Sequence, residues 1–204
     1  MKTFWNERYK QEKYAYGKVP NSFFREKLSK LQPGNILLPS EGEGRNAVYA
    51  ATLNWDVSAF DISEEGKNKA EKLAKENFVS IKYLIGNFPN LNYQNEQFDV
   101  IALIFAHYPT HIKKEYFPLF DKKLKSGGLI IFEGFSKNNL KYKKDNPNIG
   151  GPKNINALYT TDELKSFFNN YDIIELEEKE IELQEGLYHN GRGSVVRFVG
   201  KKKY

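Results

Sequence analysis

The sequence predicts an α/β fold in which a mostly parallel sheet is covered by helices on both faces. From residue 35 onward, short apolar segments of strand length alternate with longer amphipathic segments, which is the pattern of parallel strands joined by helices. Residues 98–105 are almost all apolar, as expected for a central strand that is buried on both faces. A glycine-rich turn directly follows the first of these strands, at residues 40–47.

Composition indicates one domain without cysteine chemistry. The chain has 204 residues, 40% of them hydrophobic, so we expect a single domain over residues 1–204. There is no cysteine, which excludes disulfides, thiolate zinc sites and cysteine nucleophiles. The longest apolar run, residues 100–106, is too short to span a bilayer, and the charged N-terminus has no secretory h-region. We therefore expect a cytoplasmic protein with no membrane partner.

The net charge of +5 is mostly carried by lysine. Lysines cluster at residues 122–125, 141–144 and 201–203, but acidic residues are interleaved almost everywhere except in the last cluster. A nucleic-acid reader concentrates positive charge on one face and usually includes arginine. We expect no nucleic-acid partner, although the basic charge can steer an anionic substrate.

The individual elements follow from local patterns. Residues 1–34 are polar and aromatic and are expected to form a helical segment or lid, with helical spacing from Phe23 to Leu31. Ser63, followed by Glu64 and Glu65, is a predicted N-cap of a helix that runs to about Glu76. Further helices are predicted at residues 45–53 and 113–124 and from Thr161 onward. Strands are predicted at residues 35–38, 57–60, 81–85, 98–105 and 129–133.

The last third of the chain has a different pattern. A polar, lysine-rich loop covers residues 135–156 and is long enough to suggest a functional or mobile segment. Ser126-Gly127-Gly128 is expected to end the helix before it. Extended segments at residues 172–183 and 194–199, joined by a turn-rich stretch at 185–193, predict an antiparallel hairpin at the sheet edge.

The glycine turn and an acidic residue downstream predict a nucleotide-type cofactor. Gly42 and Gly44 let the backbone turn tightly and approach a ligand, so a larger residue at Gly44 should abolish binding in a folded protein. Asp61 ends the second strand, where an acidic side chain typically binds ribose hydroxyl groups. Residues 42–47 also satisfy G-x-G-x-x-A, so a dinucleotide is an alternative, but the chain has no second domain to hold a substrate over a nicotinamide.

Several motifs resemble the class I S-adenosylmethionine-dependent methyltransferases, most closely the tellurite-resistance and thiopurine-methyltransferase-like branch. The similar segments cover nearly the whole chain and are Phe4-Trp5-Asn6-Glu7-Arg8-Tyr9, Tyr16-Gly17, Gly42-Glu43-Gly44-Arg45-Asn46-Ala47-Val48, Phe60-Asp61-Ile62-Ser63, Gly127-Gly128-Leu129 and Leu158-Tyr159-Thr160. The resemblance implies a Rossmann-like three-layer sandwich over residues 35–204, with a seven-stranded sheet that ends in an antiparallel strand.

The resemblance also implies roles in cofactor binding. Gly42 and Gly44 would frame the methionine moiety, Asp61 would hold the ribose, and Asn87 would face the adenine amine. The family commonly has an aspartate in the first strand and a glycine after it, where this chain has Leu38-Pro39-Ser40; we expect Glu41 to replace the contact to the cofactor's ammonium group. The remaining candidates for cofactor contact are Tyr16, Arg45, Asn46, Ile62, Phe88 and Phe105.

The acceptor site is expected at the carboxyl ends of the central strands. His107, which follows the fourth strand, is the candidate catalytic residue, either as a base or only as a hydrogen-bonding group. Pro109 separates it from His111, so we expect no metal site. Trp5, Tyr9 and Tyr16 could form a lid or belong to the core. Candidates for the acceptor pocket are Tyr9, Tyr108, Gly151 and His189.

These observations predict an S-adenosylmethionine-dependent methyltransferase that acts on a small molecule, with a thiol or a chalcogen oxyanion as the acceptor. Two alternatives stay open: an NAD(P)-dependent oxidoreductase, and a protein that binds S-adenosylmethionine without catalysis. A monomer or a homodimer is expected.

Overall fold

The predicted alternation of strands and helices forms one seven-stranded sheet in the computed structural model, which describes residues 1–204. The strands are β1 (Asn35–Pro39), β2 (Asp56–Asp61), β3 (Lys82–Ile85), β4 (Phe98–Ile104), β5 (Leu124–Phe135), β6 (Tyr171–Glu185) and β7 (His189–Lys202). The helices are α1 (Lys2–Tyr9), α2 (Ser22–Leu28), α3 (Arg45–Thr52), α4 (Glu64–Glu76), α5 (Thr110–Lys123), α6 (Asn139–Asp145) and α7 (Thr161–Phe167).

The strand order is β3-β2-β1-β4-β5-β7-β6. Strands β1 to β5 are parallel, whereas β7 pairs antiparallel with both β5 and β6. The predicted Rossmann-like fold with a C-terminal antiparallel hairpin is therefore confirmed. Because the chain turns to opposite sides of the sheet after β1 and β4, the carboxyl ends of these two neighbouring strands border a crevice, where ligands bind in open α/β sheets.

Alternate residues of the central strands build two hydrophobic clusters, one on each face of the sheet. Leu37, Ile101 and Leu103 pack with the aromatic side chains of α5 and α7. Ile36 and Leu38 lie on the other face, among the side chains of α2 and α3. The two N-terminal helices differ in position, because α2 is part of this core whereas α1 contacts α4. Within residues 1–34, only α1 and the segment after it are placed to act as a lid.

The C-terminal hairpin is longer than the sequence predicts. Strand β6 extends to Glu185 and β7 begins at His189, so three residues form the turn, and His189 is a strand residue rather than a turn residue. As an edge strand, β6 is rich in exposed acidic residues, and such a strand has little of the apolar alternation that marks strand ends in a sequence.

Two other predictions for the second half of the chain are corrected. Ser126-Gly127-Gly128 does not end a helix but lies within β5, beside a register shift between Phe98 and Val100 of β4. Residues 135–156 are not one loop, because they contain α6 and a short 3-10 turn at Pro147–Ile149 that pack against β7. Ile149 is buried in a small hydrophobic cluster with Phe135 of β5, so apolar packing holds this segment against the sheet. No helix of the structure has the length and apolarity that are needed to cross a bilayer.

Candidate functional site

The glycine turn lies at the carboxyl end of β1. Gly42 and Gly44 have φ angles of +63° and +87°, and Ser40 has a φ of +53° although it is not a glycine. A Cβ atom on Gly44 would lie 2.5 Å from Ala70 Cβ and 2.7 Å from Ala70 Cα, so it would collide with α4. The packing of the turn against α4 therefore requires a glycine at this position, and a larger residue here would disturb the fold as well as the approach of a ligand.

Asp61 lies beside this turn, at the carboxyl end of β2. Its Oδ2 accepts a hydrogen bond from the backbone N–H of Gly42 at 3.1 Å, and its Oδ1 accepts one from Ser63 N–H at 3.0 Å. Burial raises the pKa of the Asp61 carboxyl group to about 6, against the lowering effect of these hydrogen bonds. The structure thus brings Asp61 and the glycine turn together, as the sequence predicts, and leaves a carboxylate with further acceptor capacity.

Glu41 binds the start of α3. Its Oε1 accepts the backbone N–H groups of Asn46 and Ala47, each at 2.8 Å, which satisfies two of the donors left free at a helix N-terminus. Burial raises its pKa to about 7. Oε1 of Glu41 is therefore committed to the helix, and Oε2, which accepts only the longer hydrogen bond from Asn46 Nδ2 at 3.5 Å, is the oxygen that could meet a cofactor's ammonium group. Asn46 is also engaged, because its Oδ1 accepts the N–H of Asn21 at 2.9 Å.

The residues proposed to lie near adenine differ in their accessibility. Asn87 is exposed and follows β3, and Ile62 is partly exposed next to Asp61. Phe88 has its side chain in the core, only 2% exposed and stacked on Phe60 and Phe120 at centroid distances of 5.4 and 4.3 Å. Its ring is thus not available to a cofactor, which corrects the prediction for this side chain and leaves only its backbone as a contact.

Aromatic residues of the N-terminal segment cover the turn. Tyr9 is buried, and the Cβ that Gly42 lacks would lie 2.6 Å from the Tyr9 hydroxyl oxygen. Trp5 stacks on Tyr9 at a centroid distance of 5.4 Å. Tyr16 accepts a hydrogen bond from Arg8 at 2.9 Å through its hydroxyl group. These side chains lie where a lid over the glycine turn would lie.

His107 is held by hydrogen bonds on both ring nitrogens. Its Nε2 accepts the backbone N–H of Phe135 at 3.2 Å, so the ring proton is on Nδ1, which donates to the carbonyl oxygen of Ala157 at 2.9 Å. Burial lowers its pKa to about 3. A neutral imidazole with no free lone pair cannot remove a proton from an acceptor. The proposal that His107 is a catalytic base is therefore corrected in favour of a structural role.

His189 has the free ring nitrogen that His107 lacks. Its Nδ1 is 2.9 Å from Glu185 Oε2, whereas Nε2 makes no hydrogen bond within the protein. The imidazole contacts the rings of Tyr16 and Phe105, both at centroid distances of 4.4 Å. Phe105 follows β4 and has a φ of +50°, so His189 faces the carboxyl end of a central strand. The sequence-derived pocket candidate thus lies beside two of the cofactor candidates.

The other two pocket candidates have packing roles. Tyr108 is buried, and its hydroxyl group is 2.7 Å from Ser40 Oγ, which ties the segment after β4 to the residue after β1. Gly151 has a φ of +78°, and a Cβ there would lie 2.7 Å from the Phe135 ring. Tyr108 therefore contacts the residue after β1, and Gly151 packs on Phe135, whose ring is 5.3 Å from the His189 ring.

Glu185 is the functional candidate that the sequence reasoning missed. Its Oε2 also accepts from Arg45 Nη2 at 2.8 Å, so one carboxylate contacts both His189 and the first residue of α3. Despite burial, which raises it, the pKa of Glu185 falls to about 2 because of Arg45 and His189. The only sequence signal was an acidic residue four positions before a histidine across a glycine, which is too common to indicate a pair.

Comparison with known proteins agrees with this geometry. Residues 37–128 match the profile of a methyltransferase domain family, a span that runs from β1 into β5 and contains the glycine turn, Asp61 and Asn87. No curated protein matches the chain significantly.

Solved structures share the fold at low identity. A structure that concerns the conversion of a disulfide bond into a thioacetal group during echinomycin biosynthesis has a TM-score of 0.78 at 14% identity, over 100% of this chain and 92% of that one. TehB from Haemophilus influenzae has a TM-score of 0.73 at 14% identity, over 99% and 67%. An S-adenosylmethionine-dependent methyltransferase from Methanosarcina mazei has a TM-score of 0.63 at 18% identity, over 91% and 99%.

Proposed function

We propose that this S-adenosylmethionine-dependent methyltransferase methylates a small molecule that binds against the His189 imidazole. The observation that carries the proposal is the free Nε2 of a buried histidine whose Nδ1 is bonded to a carboxylate, beside Phe105 at the end of β4. A histidine held in this way is suited to accept a proton. The match of residues 37–128 to a methyltransferase domain family favours this reaction over that of a nicotinamide-dependent oxidoreductase.

The residues at the carboxyl edge of β1 and β2 fit the cofactor. Asp61 presents a carboxylate for the ribose hydroxyl groups. Gly42 has a positive φ, and the absence of a Cβ atom leaves its backbone uncovered on the side that faces the Tyr9 hydroxyl group. We propose that Asn87 faces the adenine and that Glu41 Oε2 faces the ammonium group. When bound, S-adenosylmethionine supplies a methyl group activated by the sulfonium and leaves as neutral S-adenosylhomocysteine.

His189 would act on the acceptor. For a thiol, Nε2 takes the S–H proton while the acceptor sulfur forms the bond to the methyl carbon, and the electron pair of the broken carbon–sulfur bond leaves with S-adenosylhomocysteine. A free thiol has a pKa of about 8.5, so a neighbouring base raises the fraction of the reactive thiolate. No covalent enzyme intermediate is needed, since alignment of the two reactants and removal of the proton are sufficient.

Enclosure of the imidazole favours a small acceptor. The side chain of His189 is only 6% exposed. Tyr16 of the N-terminal segment and Phe105 after β4 pack against the ring, and a Cβ atom added to Gly150, in the segment before α7, would lie 2.9 Å from Nε2. A flat macromolecular surface could not reach Nε2 in this arrangement. The absence of a nucleic-acid partner and the oligomeric state stay predictions.

The acceptor atom is proposed to be soft, as in a thiol or a chalcogen oxyanion. The motif resemblance to tellurite-resistance and thiopurine-methyltransferase-like proteins supports this class, and one structural neighbour concerns the chemistry of a disulfide and a thioacetal. The purified protein should be incubated with S-adenosylmethionine and a panel of thiols, selenite, tellurite, a phenol and a carboxylate, with S-adenosylhomocysteine formation as the readout. We expect product with at least one soft acceptor.

Two variants test the role of His189. His189→Gln should lower turnover by at least about 100-fold, which is the usual contribution of a general base, without weakening S-adenosylhomocysteine binding. His111→Gln, at an exposed histidine of α5, is the matched control and should keep the wild-type rate. Wild-type turnover by His189→Gln would refute the assignment. Binding of S-adenosylhomocysteine with no product from any acceptor would favour the non-catalytic alternative.

A further inference from the structure

We propose that Glu185 and Arg45 are positioning residues for His189, holding its Nε2 toward the acceptor and connecting the imidazole to the glycine turn. This inference rests on the proposed role of His189. Glu185 Oε2 lies 2.9 Å from His189 Nδ1 and 2.8 Å from Arg45 Nη2. All three side chains are largely buried, with 6%, 8% and 14% of the His189, Arg45 and Glu185 side chains exposed.

Register fixes this contact within the hairpin. Glu185 and His189 are direct partners in the β6–β7 ladder, at the last pair before the turn. Side chains of paired strand residues lie on the same face, close enough to interact. Strand pairing therefore places the Glu185 carboxylate next to Nδ1, and the opposite nitrogen, Nε2, points away from Glu185.

Arg45 carries the connection to the other half of the site. It is the first residue of α3 and directly follows Gly44, so its backbone belongs to the glycine turn. Its Nη1 also donates to the carbonyl oxygen of Tyr16 at 3.1 Å. The guanidinium thus joins the turn, the aromatic segment and the hairpin. Glu185 Oε1 is held in addition by Asn21 Nδ2 at 3.1 Å, which leaves the carboxylate little freedom to rotate.

Several charged or titratable groups act on the imidazole, from different elements. Glu185 of β6 favours the protonated ring, whereas burial, Arg45 of α3 and Arg8 of α1 oppose protonation, so that the pKa of His189 is lowered overall. Tyr16 packs on the ring, and His107 lies near enough to interact electrostatically. Glu185 is the single anion in this set. The charge of Glu185 therefore opposes the lowering of the His189 pKa by burial and by the two arginines.

Imidazole nitrogen NMR tests the geometry in the wild-type protein. The chain has three histidines, so the resonances can be assigned with the variants His107→Gln and His111→Gln. We expect neutral His189 to carry its proton on Nδ1 and to leave Nε2 unprotonated. A proton on Nε2 would overturn the proposal without the need for any variant of the network.

Variants of Glu185 test its electrostatic role. Glu185→Gln should lower the titration midpoint of His189 by about one pH unit or more, because an adjacent opposite charge is lost. Glu185→Asp keeps the charge, so the titration midpoint of His189 should stay close to its wild-type value. Glu182 is an exposed carboxylate on the same strand, so Glu182→Gln is the matched control and should leave the titration midpoint of His189 at its wild-type value. An unchanged midpoint in Glu185→Gln would overturn the proposal.

The experiment separates this inference from the proposed function. The spectra need neither an acceptor nor turnover, so they report on Glu185 and His189 even if the acceptor panel gives no product. Where an acceptor is found, the pH profile of kcat in Glu185→Gln should move in the same direction as the NMR midpoint. If Glu185→Gln shifts the NMR midpoint of His189 but not the pH profile of kcat, then Glu185 does not act on catalysis through His189, and its positioning role is refuted.

Discussion

The carboxyl group of Asp61 lies in a nearly water-free position, between the backbone of Gly42 and that of Ser63. Two hydrogen bonds stabilise its charged form, yet desolvation outweighs them and raises its pKa from 3.8 to about 6. In the proposed site, the ionised carboxylate accepts hydrogen bonds from ribose hydroxyl groups. Protonation removes part of that acceptor capacity, so cofactor affinity should depend on the protonation state of this residue.

We expect the affinity for S-adenosylhomocysteine to fall as the pH falls through about 6, the raised pKa of Asp61. Asp61→Asn should bind more weakly at every pH, by about 1.5–3 kcal/mol for the loss of charged hydrogen bonds, and its affinity should be less dependent on pH. Calorimetric titration over a pH series measures both effects. Asp56→Asn, at the exposed opposite end of β2, is the control and should behave as the wild type.

An affinity that is constant between about pH 5 and pH 8 would contradict ribose binding by an Asp61 whose pKa is raised. Equal affinities of the Asp61→Asn and Asp56→Asn proteins would do so as well. The two tests are independent, because the pH series changes the protonation of the native Asp61 and the substitution replaces the residue.

The two buried histidines show why residue type alone does not identify a base. His107 and His189 both lie near the carboxyl ends of the central strands, and burial lowers the pKa of both. His107 uses Nε2 as an acceptor for a backbone N–H of β5, whereas His189 uses Nδ1 as a donor and keeps Nε2 free. The hydrogen-bond partner of the second nitrogen decides which one can take up a proton.

At the scale of elements, the glycine turn joins β1 to α3 and presses against α4. The contact is so close that a Cβ atom added to Gly44 would lie 2.5 Å from Ala70 Cβ. Ser63 fixes the start of α4 by accepting the N–H of Gly66 through its hydroxyl group at 3.1 Å. The first turn of α4 and the glycine turn therefore support each other, and both border Asp61.

Gly44→Ala should destabilise the protein rather than only weaken cofactor binding. The positive φ and the overpacking against α4 should each lower the free energy of unfolding by about 1–3 kcal/mol. For a chain of this size, each kcal/mol corresponds to about 2–4 °C in Tm. Thermal denaturation of the ligand-free protein measures the loss.

Ala70→Gly provides the matched test of this contact. It removes the Cβ that the new methyl group would meet at 2.5 Å, so Gly44→Ala combined with Ala70→Gly should recover part of the lost Tm relative to the sum of the single changes. Recovery should be incomplete, since the Ala70 Cα and the strained φ are unaffected. A Gly44→Ala protein that melts like the wild type would show that the turn is free to move away from α4.

At the scale of the whole molecule, three separate parts of the chain close around one edge of the sheet. Helix α1 covers the glycine turn through Tyr9, the segment containing Gly150 reaches His189, and the β6–β7 hairpin supplies Glu185. Leu187 in the hairpin turn donates its N–H to the carbonyl oxygen of Ala15 at 2.7 Å, which fastens the hairpin to the N-terminal segment. A ligand that contacts several of these parts should stabilise the native state as a unit.

S-adenosylhomocysteine at about 100-fold over its Kd should add about 2.7 kcal/mol to the free energy of unfolding. With about 2–4 °C per kcal/mol, Tm should rise by roughly 5–10 °C. NADH and NADPH at the same concentrations are the comparison ligands and should leave Tm unchanged. A rise in Tm with a nicotinamide nucleotide alone would contradict the cofactor assignment.

Local sequence determined the sheet, its helices and the part of the candidate site that surrounds the glycine turn. The Ser63 cap, the glycine turn and Asp61 could be read from the sequence because each depends on residues close to it in the chain and on the ends of two adjacent strands. The antiparallel hairpin followed from two extended segments and the turn-rich stretch between them, and the family resemblance added the number of strands. The ends of β6 and β7 could not be placed, since a solvated edge strand lacks a hydrophobic period.

The tertiary structure alone decided which histidine has a free nitrogen. His107 lies next to the strand where a base was expected, but the backbone of β5 and the Ala157 carbonyl occupy its ring. His189 comes from a distant hairpin and acquires its setting from Glu185, Arg45 and Phe105, which meet only after the sheet has formed. The physical reason is that backbone propensity is local, whereas the partners of a buried polar group are chosen by packing between distant segments.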